Sequence, residues 1–166
     1  YKVDCSYTPG INWNTSLGRS KGSMGSDYSS VSESAQIIKG LDNKGSLLEV
    51  PMTTRTRNIW ISQPGRGLRG IASSAYHFLK GKQMWFRPMN DNLNDIKKLI
   101  SLERESDYLM FMIHSSELMP GGSPTFKTKE SVEELYDVIT EIFELVSKTH
   151  EGCTLREYAE IYKDGE

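Results

Sequence analysis

Tyr108-Leu109-Met110-Phe111-Met112-Ile113-His114-Ser115-Ser116-Glu117-Leu118-Met119-Pro120-Gly121-Gly122 passes from six apolar residues to a histidine, two hydroxyls, a carboxylate and a Gly-rich loop. An unbroken apolar run of this length fits a strand buried on both faces, as parallel strands are. His114 then stands at the carboxyl end of that strand, where open α/β sheets and α/β barrels bind their ligands. An imidazole there can give or take a proton near neutral pH. Position alone leaves two readings open: a proton-transfer group, or a histidine satisfied by a backbone carbonyl. Ser115 and Ser116 lack the G-x-S-x-G elbow of a nucleophile, and adjacency to a histidine does not make a triad.

Elements alternate on either side of this segment. Downstream, Val132, Leu135, Tyr136, Ile139, Ile142, Phe143 and Val146 mark a long helix, with Ser131 and Glu134 offering a capping box at or just inside its start. Its other face carries Glu130, Glu133, Glu134, Asp137, Glu141 and Glu144, the pattern of a solvated face. Gly152-Cys153-Thr154 reads as a very short strand, and Thr154 with Glu157 caps a terminal helix. Upstream, Leu93, Ile96, Leu99 and Ile100 share one helical face behind an Asn92 N-cap. Met84-Trp85-Phe86-Arg87-Pro88 is a short strand ended by its proline, and Ile71–Lys80 a short helix. Leu47–Thr54 is a further strand in which Pro51 demands an edge, a bulge or an end. The chain opens on Lys2–Tyr7, a strand already under way, closed by Thr8-Pro9-Gly10. With Tyr1 rather than Met in front, it reads as a piece of a longer protein. Eleven of the twenty residues from Thr15 to Ser34 are Ser or Gly, which predicts a poorly ordered surface loop with too little apolar area to offset its entropy. Alternation of strands and helices implies βα units around a mostly parallel sheet.

The 166 residues suit one domain, and a net charge of −2 with a pI near 6 argues against a nucleic-acid binder. No apolar run approaches the roughly 18 residues that span a bilayer. Cys5 and Cys153 lack metal-ligand spacing and could pair only if the fold brought the ends together. His77, His114 and His150 form no H-x-x-x-H pattern, so they offer no preformed metal site. Gly65-Arg66-Gly67-Leu68-Arg69-Gly70 matches G-x-G-x-x-G in letters, yet it follows a Gln63-Pro64 turn well past the strand. No acid stands at a strand end some twenty residues on, so a dinucleotide site is rejected.

Four stretches carry a family resemblance. They are Val3–Gly10, Leu48–Thr53, Phe86-Arg87-Pro88, and Met112 through His114 and Glu117 to Phe126. Together they resemble the carboxyl-terminal half of polysaccharide deacetylases, the NodB-homology or carbohydrate esterase family 4-like enzymes, and in particular a branch associated with bacterial glycan synthesis. The resemblance covers nearly the whole chain and is most specific from Ile113 to Phe126. It implies part of a distorted (β/α)7 barrel, with mostly parallel strands alternating with helices. It also implies a hydrolase that removes N-acetyl groups from a polysaccharide or cell-surface glycan with the help of a divalent metal, typically zinc. The metal ligands and general base belong to the first half of such domains, so the metal would be bound by residues not in this chain.

By the same resemblance His114 matches the late-strand general acid. Asp4 matches an acid that orients it, with Cys5 where the family usually has Trp. Trp85 and Arg87, with Trp13 and Glu117, are candidates for glycan contacts. Tyr28 and Trp60 are further aromatic candidates, and Glu117 could equally hold the loop by accepting backbone N–H groups. The implied partners are a glycan and either the amino-terminal half of the same protein or a second copy. Alternative readings on the same fold are a carbohydrate O-acetyl esterase and a non-catalytic glycan-binding or assembly protein.

Overall fold

The computed structural model describes residues 2–14, 25–40, 45–58, 67–89 and 91–164, and in them the chain is a mixed α/β structure. A three-stranded sheet has the order β1 (Val3–Asp4), β3 (Ser46–Glu49), β2 (Gln36–Lys39). β1 runs parallel to β3, with Val3 opposite Leu48 and Asp4 opposite Glu49, whereas β2 is antiparallel to β3. Tyr7 O extends the parallel contact by accepting Met52 N–H at 2.9 Å. A second, antiparallel pair joins β4 (Thr54–Arg57) to β5 (Lys82–Trp85), with helix α1 (Gly67–Lys80) between them in sequence. Helices α2 (Leu93–Leu102), α3 (Lys129–Val146) and α4 (Leu155–Asp164) follow. No closed barrel forms among the described residues, and one of the three ladders is parallel where a mostly parallel sheet was expected.

The physical reason lies in Leu47–Thr54, read as one strand from its sequence. Pro51 has no N–H to offer a ladder, and the chain divides there into β3 and β4, each with its own partner. Tyr108–Ile113 differs in a related way. It is half-buried throughout and carries no assigned strand, yet its side chains alternate as a two-faced strand requires. Leu109 and Phe111 join a core of Met84, Phe86, Ile96, Leu99, Ile100 and Ile142. Tyr108 and Met110 join a second core, built on Leu48, Val50 and Ala159. Met112 N–H donates to Phe86 O at 3.2 Å, but Phe86 N–H is already committed to Thr53 O and Pro88 has no N–H. Met110 N–H turns instead to Thr53 Oγ1 at 2.8 Å. The apolar pattern is satisfied while the backbone ladder is not.

Helix ends follow local chemistry. At α3 the reciprocal box is Thr128 with Ser131, one turn upstream of the expected Ser131–Glu134 pair. Ser131 N–H donates to Thr128 Oγ1 at 3.2 Å, and Thr128 N–H to Ser131 Oγ at 3.0 Å. At α4 the box is the expected one, Thr154 with Glu157. Asn92 stands at the start of α2 but does not cap it. Its side chain turns back, donating to Arg87 O and accepting Met89 N–H, both at 2.8 Å. Gly152–Thr154, expected as a short strand, has no strand partner. The acidic residues of α3 form a largely exposed face, with Glu141 paired to Lys97.

Candidate functional site

The end of the Tyr108–Ile113 segment is anchored from below. His114, exposed and extended, precedes a 3-10 turn over Ser115–Leu118. Glu117 sits in that turn with 4% of its surface exposed. One carboxylate oxygen accepts the His114 backbone N–H at 3.0 Å, and the other accepts Arg87 Nη2 at 2.8 Å. Glu117 N–H returns to His114 O at 2.9 Å, so the two residues are stapled through their backbones. Gly122 closes the loop: a Cβ there would lie 2.2 Å from Ser116 O, an approach only glycine permits.

The residues before Pro88 supply the other candidates. Met84 and Phe86 are buried in the α2–α3 core, and Trp85, the last residue of β5, takes the opposite side by strand alternation, while Arg87 follows in a bend beyond the strand. Trp85 meets Trp13 edge-on, with ring centroids 6.0 Å apart. Trp13 donates its indole N–H to Thr8 Oγ1 at 2.8 Å and keeps 38% of its surface exposed. Arg87 is engaged by Glu117, so both are placed to position the His114 loop. Glu117, with both oxygens occupied and almost no exposure, is below the surface a glycan would touch. Trp13 with Trp85, and Arg87 with Glu117 and His114, thus form two contact groups linked along the chain through Trp85-Phe86-Arg87.

Asp4 stands apart. It accepts Ser6 Oγ–H at 2.8 Å, and no hydrogen bond joins it to His114. Its neighbour across the parallel pair is Glu49, fully buried, with one oxygen accepting Tyr7 N–H at 2.9 Å and the other unpartnered. Burial above all, with the nearby Asp4 carboxylate, pushes the Glu49 carboxyl above the ordinary range despite the Tyr7 N–H. A protonated Glu49 can donate to Asp4, which lets two carboxyl groups share one site. The Cys5 thiol is pushed up by burial first, and then by the Asp4 and Glu49 carboxylates. Cys5 and Cys153 are both free.

The aromatic candidates separate. Tyr28 stacks on Tyr7 at 5.0 Å, in a return strand where Tyr28 N–H donates to Ile11 O and Gly10 N–H to Tyr28 O. Part of the Ser/Gly-rich stretch, residues 25–34, is therefore tied down, contrary to a uniformly loose loop. Residues 15–24 and Trp60 lie outside the described residues. His150 Nε2 donates to Ser106 O at 3.1 Å while its Nδ1 meets Thr149 Oγ1 at 2.9 Å, the bridging role of a structural histidine. Gly67–Gly70 form the first turn of α1, with Gly70 packed inward.

A charge network escaped the sequence reading. Arg55, 5% exposed, contacts Glu33 at 3.3 Å and Glu103 at 2.9 Å, while Arg57 forms a fork on Glu33 at 2.9 and 3.1 Å. Two arginines two residues apart on a strand, alternating with Thr54 and Thr56, were the available signal. They border a cleft of about 220 Å³ with Ser106, Asp107 and Tyr108. That is below the usual volume of a ligand pocket, and both guanidinium groups are already matched by carboxylates. The network ties the loop before β2 to β4 and to the end of α2.

Among the described residues no three or more His, Cys, Asp and Glu side chains gather as metal ligands, and no helix is long and apolar enough to cross a membrane. The donor set needed for a divalent metal is therefore not met by this chain's described side chains. No family model, curated protein or solved structure matches the chain.

Proposed function

We propose that this chain is the carboxyl-terminal part of a metal-dependent carbohydrate N-deacetylase acting on a polysaccharide or cell-surface glycan. One observation carries the reading. An exposed His114, at the end of an extended segment, is fixed by the buried Glu117, whose other oxygen holds Arg87, two residues after the Trp85 that meets Trp13. An imidazole so placed can protonate the amine that leaves when an acetamide is cleaved. The indoles supply apolar faces on which a pyranose ring can stack. Glu117 and Arg87 hold the loop, and a chain of this kind would rely on residues outside it for the divalent metal, expected to be zinc, and for the general base.

The test is deacetylation of N-acetylated glycans by the whole protein and its His114→Ala variant. A general acid contributes about 10²–10⁴ in rate, so the variant should fall by at least about 10² in kcat while glycan binding persists. Trp13→Ala and Trp85→Ala should raise KM more than they lower kcat. Wild-type kcat in His114→Ala would sink the assignment. Faster turnover of O-acetylated than N-acetylated substrate would move the reading to an esterase, and glycan binding without either activity to a binding protein.

A further inference from the structure

Helix α1 is packed the wrong way round for a helix of a folded core. Its buried residues are Gly70 and Ser74, with Ser74 Oγ donating to Gly70 O at 2.8 Å. Its large apolar residues face out: Leu68 is 85% exposed, Leu79 77%, Ile71 57% and Phe78 50%. At 100° per residue these four, with Ala72 and Ala75, share a single arc of about a third of the helix circumference, whose Leu68, Leu79 and Ala72 side turns away from Gly70 and Ser74 and whose Phe78 edge lies beside Ser74. Among the described residues, no α1 side chain joins the three apolar clusters.

Charge says what covers this arc. Between Glu49 and Asp91 the sequence holds seven Arg and Lys residues and no Asp or Glu; Arg55, Arg57, Lys82 and Arg87 are matched by carboxylates from elsewhere in the chain, whereas Arg69 and Lys80 form no ion pair among the described residues. On α1 itself Arg69 and Lys80 are exposed, lie on the same side of the helix beyond the Ala72 edge of the apolar arc but about 16 Å apart along its axis, and have no acidic residue on the helix to balance them. We propose that α1 docks on an anionic lipid surface, its apolar arc sunk among the acyl chains and Arg69 and Lys80 at the headgroups. An amphipathic helix with outward Leu, Ile and Phe beside Arg and Lys is the composition that binds bilayer interfaces in plane. A symmetric pairing of two α1 helices would instead set cations against cations with no acid between them. The acidic face of α3 would match the charge but offers few apolar partners. The remainder of the chain, with its excess of acid, would be repelled by the same surface, so docking through α1 also orients the molecule. This inference is independent of the proposed chemistry at His114.

The experiment is co-flotation of the whole protein with vesicles of phosphatidylglycerol and phosphatidylcholine, against phosphatidylcholine alone. Binding should require the anionic lipid and weaken with salt. Each basic residue near such a surface is worth about 1 kcal/mol, or roughly fivefold, so Arg69→Gln with Lys80→Gln should cost about 25-fold. Leu68→Asp with Leu79→Asp, at positions exposed enough to leave the fold intact by circular dichroism, should abolish flotation. Three results would each overturn the proposal: no association with anionic vesicles, equal association with neutral ones, or unchanged flotation of the Leu68→Asp, Leu79→Asp variant. A dimer in solution that this variant dissolves, without vesicle binding, would assign the arc to a second copy instead.

Discussion

Replacing Glu117 by alanine removes one carboxylate and undoes two contacts at once. Arg87 Nη2 loses its partner at 2.8 Å, and the His114 N–H loses its acceptor at 3.0 Å. Breaking a buried ion pair from one side costs about 3–5 kcal/mol, because the remaining charge is left uncompensated. The Arg87 side chain keeps 19% exposure, so water can recover part of that cost and the lower end applies. Loss of the cap adds about 1 kcal/mol. For a chain of this length each kcal/mol moves Tm by roughly 2–4 °C, so Glu117→Ala should melt about 10 °C below the parent. Glu117→Gln keeps an acceptor for His114 but no charge for Arg87, and should fall between the two. Arg87→Met removes the other partner without leaving a cation, and the double variant should show a coupling of at least about 1 kcal/mol. Thermal melting of the parent and its four variants decides. A Glu117→Ala melt within about 1 °C of the parent, or a coupling near zero, would mean that the pair does not hold the His114 loop.

The Asp4–Glu49 pair predicts a pH dependence. Folded Glu49 keeps its proton to a higher pH than unfolded Glu49, so the folded state binds more protons across that interval. Stability therefore falls as pH rises from the ordinary glutamate range through the folded value. Glu49→Gln should flatten that decline in urea midpoints measured across the acid range, and an unchanged slope would refute the sharing of a proton with Asp4. Gly122→Ala forces Ser116 O away from a Cβ at 2.2 Å and should displace the turn that carries His114. Its amide signals from Ser115 to Met119 should shift while those of α4 stay in place. Thr128→Ala removes the acceptor for Ser131 N–H at the start of α3 and should cost about 1 kcal/mol, read as a parallel shift of the urea curve. A midpoint equal to the parent's would show that the cap is replaced by water.

Local periodicity determined much of this protein. The apolar positions of α2 and α3, and the Thr154–Glu157 cap, follow from 3.6-residue spacing and from side chains that reach only their own helix end. The alternation of Tyr108–Ile113 between two cores was also legible, because the pleat needs no partner to define its two sides. Tertiary structure decided what depends on residues far apart in sequence. Whether Leu47–Thr54 is one strand or two hinged on which chains met it on either side of Pro51. Whether Glu117 faced a ligand or an arginine hinged on Arg87, thirty residues earlier, arriving beneath it. Asp4 and Glu49 share a site only because β1 and β3 run parallel in that register. The outward arc of α1 was invisible to periodicity for the same reason: spacing reveals that a helix has an apolar side, and only packing decides whether that side turns in or out.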